Sequence, residues 1–150
     1  MRLIISCWML SGILLAALPP LSESERESQA KHIFEGVVRE VRAQLVSDGD
    51  SLNRQDWQYT AQVFIHKVLK GDLEEKTSID IVFWNPSKRP WIWVGSQGQD
   101  QIPDLGNKGR FFVDEVGSTV IGPGPLSLLT PNGWELLKVE DDSWKINVEL

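Results

Sequence analysis

Side chains able to do chemistry are sparse in this sequence. It has two histidines, His32 and His66, and one cysteine, Cys7. His66 falls on the polar parity of an alternating run and reads as a solvent-facing strand residue. No G-x-S-x-G elbow, phosphate-binding G-x-x-x-x-G-K-[ST] loop or H-x-x-x-H pair occurs. The run Asp48, Gly49, Asp50, Ser51, Leu52, Asn53, with Asp56 beyond it, begins like a calcium loop. Leu52, however, takes the fifth position, where an oxygen ligand is needed, and Asn53 replaces the glycine of the sixth. The run therefore reads as a solvated loop between strands. Spacing marks no carboxylate pair among the 21 acidic residues for acid–base work on a glycoside. No catalytic residue, metal ligand or cofactor site is expected.

The aromatic residues are more informative. Of seven tryptophans, Trp84, Trp91 and Trp93 flank the stretch Asn85, Pro86, Ser87, Lys88, Arg89, Pro90. Planar rings on a loop over a barrel mouth stack on sugar rings or on the side chains of another protein. Lys88 and Arg89 are placed to act as cation–π partners of these rings. The competing reading buries Trp91 and Trp93 as a cap on one end of a core. Trp84, Lys88, Arg89, Trp91 and Trp93 are thus the candidate ligand-binding residues, for a protein or glycan partner. Fifteen basic against 21 acidic residues give a net charge of -6. That balance speaks against nucleic acid, which needs a basic surface to displace counterions.

The elements that would carry this cluster follow an N-terminal segment that is not part of the fold. Arg2 precedes an apolar run over residues 3–18, then Pro19 and Pro20 and a polar stretch, the layout of a secretory signal. The run is short of the ~20 residues of a membrane span, so after cleavage no stable membrane insertion is expected. Small residues place the cut near residue 24, giving a signal over 1–24 and a secreted or periplasmic product. Cys7 lies inside that signal, so the mature chain would have no thiol and no disulfide. Residues 25–30 read as a polar linker, and 31–150 as one domain held by its core alone.

Within that domain, 33–46 fits both a helix face and one parity of a strand, with Gly36 and the valines Val37, Val38 and Val41 weakening the helix. Trp57, Tyr59, Ala61, Val63 and Ile65 alternate with polar residues as a half-buried strand. Ile79, Ile81 and Phe83 predict another strand ending at Trp84, and 85–109 a long loop. Residues 110–116 return to strand character. Thr130, Pro131, Asn132 and Gly133 predict a hairpin turn between Leu128-Leu129 and a strand from Trp134. Trp144, Ile146, Val148 and Leu150 alternate with Lys145, Asn147 and Glu149 as a last strand. Five or six strands with no helix beyond the signal suit a small barrel or sandwich.

Three segments carry a resemblance to a known family. Residues 33–41 (IFEGVVREV), 59–72 (YTAQVFIHKVLKGD) and 109–113 (GRFFV) are similar to the elements of netrin-like and tissue-inhibitor-of-metalloproteinases-like OB domains of exported bacterial proteins. The resemblance implies an all-β, OB-like Greek-key barrel of five to six strands. It also implies that 33–46 is a strand, bent near Gly36 by a bulge that moves the inward face from Phe34 and Val38 to Val41, Ala43 and Leu45. Inhibitors of that family chelate a protease zinc through an N-terminal cysteine, and this mature chain has none. The function expected is a non-enzymatic binding or protein-interaction module of the envelope or extracellular space. The alternative is an enzyme, or enzyme accessory, acting on an extracellular or cell-wall polymer.

Overall fold

A computed structural model of the chain describes residues 19–47, 54–89, 98–116 and 126–138. Residues 1–18 of the expected signal over 1–24, and the alternating run 144–150, lie outside them. The described chain forms α1 (Glu23–Gln29), β1 (His32–Ser47), β2 (Gln55–Lys70), β3 (Ser78–Lys88), β4 (Lys108–Glu115), β5 (Leu126–Leu128) and β6 (Trp134–Leu136). The strands run in the order β1-β2-β3-β5-β4, and β1 pairs with β4 to close the ring. All pairings in it are antiparallel except β3 with β5. This is the OB-like barrel expected from the sequence: five strands closed on themselves, one extra strand and one short helix.

β1 settles the competition between helix and strand. Its register against β2 shifts between Ile33 and Phe34, between Glu35 and Gly36, and between Val38 and Glu40. The first two shifts put an extra residue, Leu69 and His66, on β2, and the third puts Arg39 extra on β1; such bulges bend and twist the paired strands, which lets them lie in two walls of a small barrel. Phe34 and Val38 are buried, and after the last shift Val41 packs against the core. The expected transfer of the inward face therefore occurs, but at Arg39 rather than at Gly36. Ala43 and Leu45 are not buried, because the strand has by then run past the barrel.

Gly36 has a different role, set by space. A Cβ there would lie 2.6 Å from the carbonyl oxygen of Phe64 and 2.8 Å from a methyl of Val63. On its other side Gly36 pairs with Gly109 of β4, whose own Cβ would stand 3.0 Å from the Trp134 ring. Two glycines thus face each other across the closing seam. Around them Phe34 stacks on Phe111 at 5.3 Å between centroids, and Phe111 on Trp134 at 6.1 Å. Val63, Ile65, Ile81 and Val113 complete the middle of the core.

Three sequence expectations are corrected. The polar linker 25–30 is mostly helix: Ser22 caps α1 and forms a capping box with Glu25. Arg26 is buried, with its guanidinium 4.4 Å over the Phe112 ring and an ion pair to Glu135 at 2.8 Å. The pattern failed because the helix docks through a charged side chain stacked on a ring rather than through an apolar stripe. Second, β3 does not stop at Trp84. Gln55, Asp56 and Trp57 of the long β2 pair with Lys88, Pro86 and Asn85, so the strand continues through Pro86.

Third, residues 130–133 do not join a hairpin, because β5 and β6 do not pair with each other. Both lie antiparallel to β4 on the same side, β5 against Val113–Glu115 and β6 against Gly109–Phe111. Between them Phe112 donates its N–H to the Gly133 carbonyl and accepts from the Leu129 N–H. The intervening residues loop out as an enlarged bulge filled by the buried Gln99, whose amide donates to the Leu129 carbonyl and accepts from the Gly133 N–H.

The close approach at Gly36 makes a direct prediction. Gly36→Val should destabilise the domain by about 1–3 kcal/mol through overpacking, and Gly36→Ala should also destabilise it. Denaturant unfolding with a midpoint raised by Gly36→Ala would contradict the barrel seam described here.

Candidate functional site

The strand alternation that fills the barrel also builds its outer face. Ala61 and Val63 of β2, Ile81 and Phe83 of β3, and Leu126 and Leu128 of β5 point inward. Their neighbours Gln58 and Thr60, Val82 and Trp84, and Ser127 therefore point outward. The register sets Gln58 opposite Trp84, Thr60 opposite Val82, and Val82 beside Ser127. Together they floor a half-open groove of about 340 Å³, closed at one end by Arg54 and Asp56.

Trp84 is partly buried, and the chain that returns toward β4 backs it closely. Gly98 has a positive φ of 74°, and a Cβ on it would stand 2.4 Å from the Trp84 carbonyl oxygen and 3.0 Å from its ring. Gln99 donates its N–H to that carbonyl at 2.9 Å, and the Asn85 side chain donates to the Gln99 carbonyl at 2.9 Å. The Arg89 guanidinium lies 5.4 Å from the centre of the Trp84 ring, a cation–π pair. The Trp84 main chain is therefore held by the returning chain, and Arg89 lies against its ring.

Asp56 organises the charged end. Arg54 donates to its Oδ2 at 3.1 Å, and Arg89 donates to its Oδ1. Arg89 also reaches the Gln55 carbonyl at 3.0 Å. The Asp56 and Arg89 side chains are only 15% and 12% exposed, so this pair is shielded from solvent screening far better than the surface ion pairs. Both Asp56 oxygens are occupied by guanidinium donors. The acid thus serves as an acceptor that positions Arg89 over Trp84. Among the described residues, the pKa shifts resolved belong to exposed groups away from the groove. Glu25 is lowered by the Ser22 backbone and side chain, and Lys31 is raised by Glu115.

Of the five candidate residues, the structure brings two together: Trp84 and Arg89. Lys88 is exposed at the end of β3, opposite Gln55. Trp91 and Trp93 lie outside the described residues, as does the acidic run 48–53. Sequence reasoning missed Arg54, Gln58, Thr60 and Ser127. The one signal for Gln58 and Thr60 was their place on the polar parity of the clearest strand. Among the described residues no three of His, Cys, Asp and Glu converge as metal ligands. No helix there is long and apolar enough to cross a membrane.

The shielded pair generates a contrast that chemical denaturation can read. Asp56→Asn should cost about 1–3 kcal/mol, since it leaves two guanidiniums facing a neutral amide in a partly buried site. Glu40→Gln, which removes one acceptor of the exposed Arg42, should change stability by less than about 0.5 kcal/mol. Equal effects would show that Asp56 does not hold the groove end together.

Comparison of the chain with protein-family models, curated proteins and solved structures finds no match.

Proposed function

We propose that this chain is an exported, non-enzymatic binding module of the envelope or extracellular space, with its partner seated on the outer face of β2, β3 and β5. The observation that carries this reading is the prearranged Trp84. Its main chain is held by the Gln99 hydrogen bond and the close approach of Gly98, and its ring is paired with Arg89, beside a groove about 340 Å³ in volume, at the lower end of the range for ligand sites. A ring fixed in advance loses little conformational freedom on binding. Gln58, Thr60 and Ser127 add neutral donors and acceptors around it. That mixture suits the hydroxyls and apolar face of a sugar better than the flat apolar surface of a protein, so a glycan partner is preferred to a protein one. OB barrels use this same face for oligosaccharides and oligonucleotides, and the net charge of -6 disfavours the latter.

The resemblance to netrin-like and metalloproteinase-inhibitor-like domains supports export and a binding role, without the zinc-chelating cysteine of the inhibitors. Helix α1 bears on the processing site. Leu21 and Asn132 exchange two hydrogen bonds of 2.9 Å, and Ser22 caps the helix. Cleavage near residue 24 would remove both, so a mature chain that keeps α1 docked starts at or before Leu21.

Cosedimentation of the processed protein with purified cell-wall polysaccharide tests the reading. The protein should pellet with the polymer, and Gln58→Ala with Trp84→Ala should each reduce the bound fraction at least tenfold. Gln58→Ala should leave the melting temperature within about 3 °C, because it touches only the surface. Binding unchanged by both substitutions would overturn the groove assignment. Release of soluble fragments from the polymer would replace the binding module with the alternative, an enzyme acting on that polymer.

A further inference from the structure

The segment from Gly98 to Gln101 joins the groove to the bulge between β5 and β6. On the groove side the Gln99 N–H donates to the Trp84 carbonyl at 2.9 Å, and the Gln99 carbonyl accepts from the Asn85 side chain at 2.9 Å. On the bulge side the Gln99 carboxamide donates to the Leu129 carbonyl at 2.7 Å and accepts from the Gly133 N–H at 3.2 Å. Asp100 donates its N–H to the Pro131 carbonyl at 2.8 Å, and the Trp134 indole donates to the Gln101 carbonyl at 3.0 Å. Four of these bonds go to 129–134 and two to β3, so the heavier anchorage is on the bulge.

Burial makes the anchor specific. Gln99 is 2% exposed, and a carboxamide withdrawn from water that far costs free energy unless donor and acceptor are both matched. Here the match is with backbone groups that the bulge takes out of the ladder. Phe112 of β4 uses the Leu129 N–H and the Gly133 carbonyl, and Gln99 takes the Leu129 carbonyl and the Gly133 N–H. An apolar side chain of the same volume would leave both backbone groups without their bonds. The carboxamide is thus fixed relative to Phe112, itself 1% exposed in the barrel wall.

The main chain of the same residue acts on the groove. Trp84 is paired with Gln58 of β2 on one side, and its carbonyl is taken by Gln99. Gly98, at a φ of 74°, lies so close behind that a Cβ on it would stand 3.0 Å from a carbon of the indole ring. Gly98 and Gln99 therefore form the backing of the ring, and what locates that backing is a side chain turned away from the groove into the bulge.

We infer that Gln99 is a positioning residue of the groove: anchored to the bulge through its carboxamide, it sets, through its own main chain and Gly98, where the Trp84 ring stands. The consequence for glycan binding rests on the groove reading given above, whereas the placement of the ring does not.

The Trp84 indole N–H in the proton–nitrogen correlation spectrum of the processed chain reports that placement, its peak being identified by its loss in Trp84→Phe. Gln99→Met keeps the volume and removes both side-chain hydrogen bonds. It should shift or broaden the Trp84 peak, leave that of the exposed Trp57 in place, and lower the fraction bound to purified cell-wall polysaccharide about fivefold or more, because the ring is no longer prearranged. Gln99→Glu should do the same at neutral pH and regain the original Trp84 peak toward about pH 5, since burial raises the pKa of the new carboxyl and its protonated form restores the donor to the Leu129 carbonyl. Ile65→Val, farther along β2 in the core, should lower the melting temperature while moving neither the Trp84 peak nor binding. If Gln99→Met does not fold, the titration of Gln99→Glu within its folded range decides the question. A Trp84 peak that stays put in folded Gln99→Met or through that titration, or that moves as much in Ile65→Val, would overturn the inference. An unsubstituted chain with no affinity for the polysaccharide would overturn the groove reading instead, with the Trp84 peak still deciding the role of Gln99.

Discussion

The barrel depends on how closely β1 can approach two strands at once. At Gly36 the chain pairs with Ile65 of β2 on one side and Gly109 of β4 on the other, with 2.6 Å between the position of a missing Cβ and the Phe64 carbonyl oxygen. No side chain fits there. A ring of five strands must coil tightly, and bulges and glycines are the devices that permit coiling without breaking the hydrogen-bonded ladder. The three register shifts between β1 and β2, two with the extra residue on β2 and one on β1, coil the pair from one wall to the next. The paired glycines bring the walls into contact over the stacked rings of Phe34, Phe111 and Trp134.

The remaining features follow from that closure. Bringing β1 against β4 sets Glu35 3.0 Å from Arg110, which also reaches Glu135 on β6 at 3.4 Å, and Glu135 in turn binds Arg26 of α1. The helix is thus attached to the barrel through a chain of alternating charges that crosses the seam, and Asn132 secures its leading end at Leu21. On the opposite wall the parallel pairing of β3 with β5 places Ser127 beside Val82. It thereby turns the polar side of β2 into one flank of a groove with Trp84 at its other flank. Function, in the reading proposed here, uses the half of the alternation that the core does not consume.

Much of this was legible in the sequence, and the failures have physical causes. The alternation from Trp57 to Ile65 predicted a strand because Tyr59, Ala61, Val63 and Ile65 face the core, while Trp57 on the same parity lies past it and is exposed. Residues 33–46 did not yield to the same reasoning, since a bulge at Arg39 exchanges the two parities and makes a strand mimic a helical period. Helix α1 carries no apolar stripe, although its S-x-x-E capping box at Ser22 and Glu25 was a readable start signal. The turn at 130–133 has hairpin chemistry, yet Gln99, some thirty residues earlier, occupies its centre, and no local pattern announces a partner at that distance. In the groove, Trp84 and Arg89 were legible by type and proximity. Gln58, Thr60 and Ser127 were not, because a polar residue on an outward parity looks the same whether it faces water or a ligand. Asp56 had been set beside a calcium-like run, whereas its partners are Arg54 and Arg89.

The most direct measurement of the account is the set of cross-strand contacts at the seam, read by nuclear Overhauser effects on the processed chain in solution. Closure requires contacts between residues 32–37 and 108–113, including Gly36 with Gly109 and Phe34 with Phe111, alongside those joining 33–38 to 63–70. Observation of both sets is the predicted result. If residues 32–37 showed contacts to β2 alone, the sheet would be open. The shared seam, the charge chain to α1 and the wall that shapes the groove would then lose their common basis.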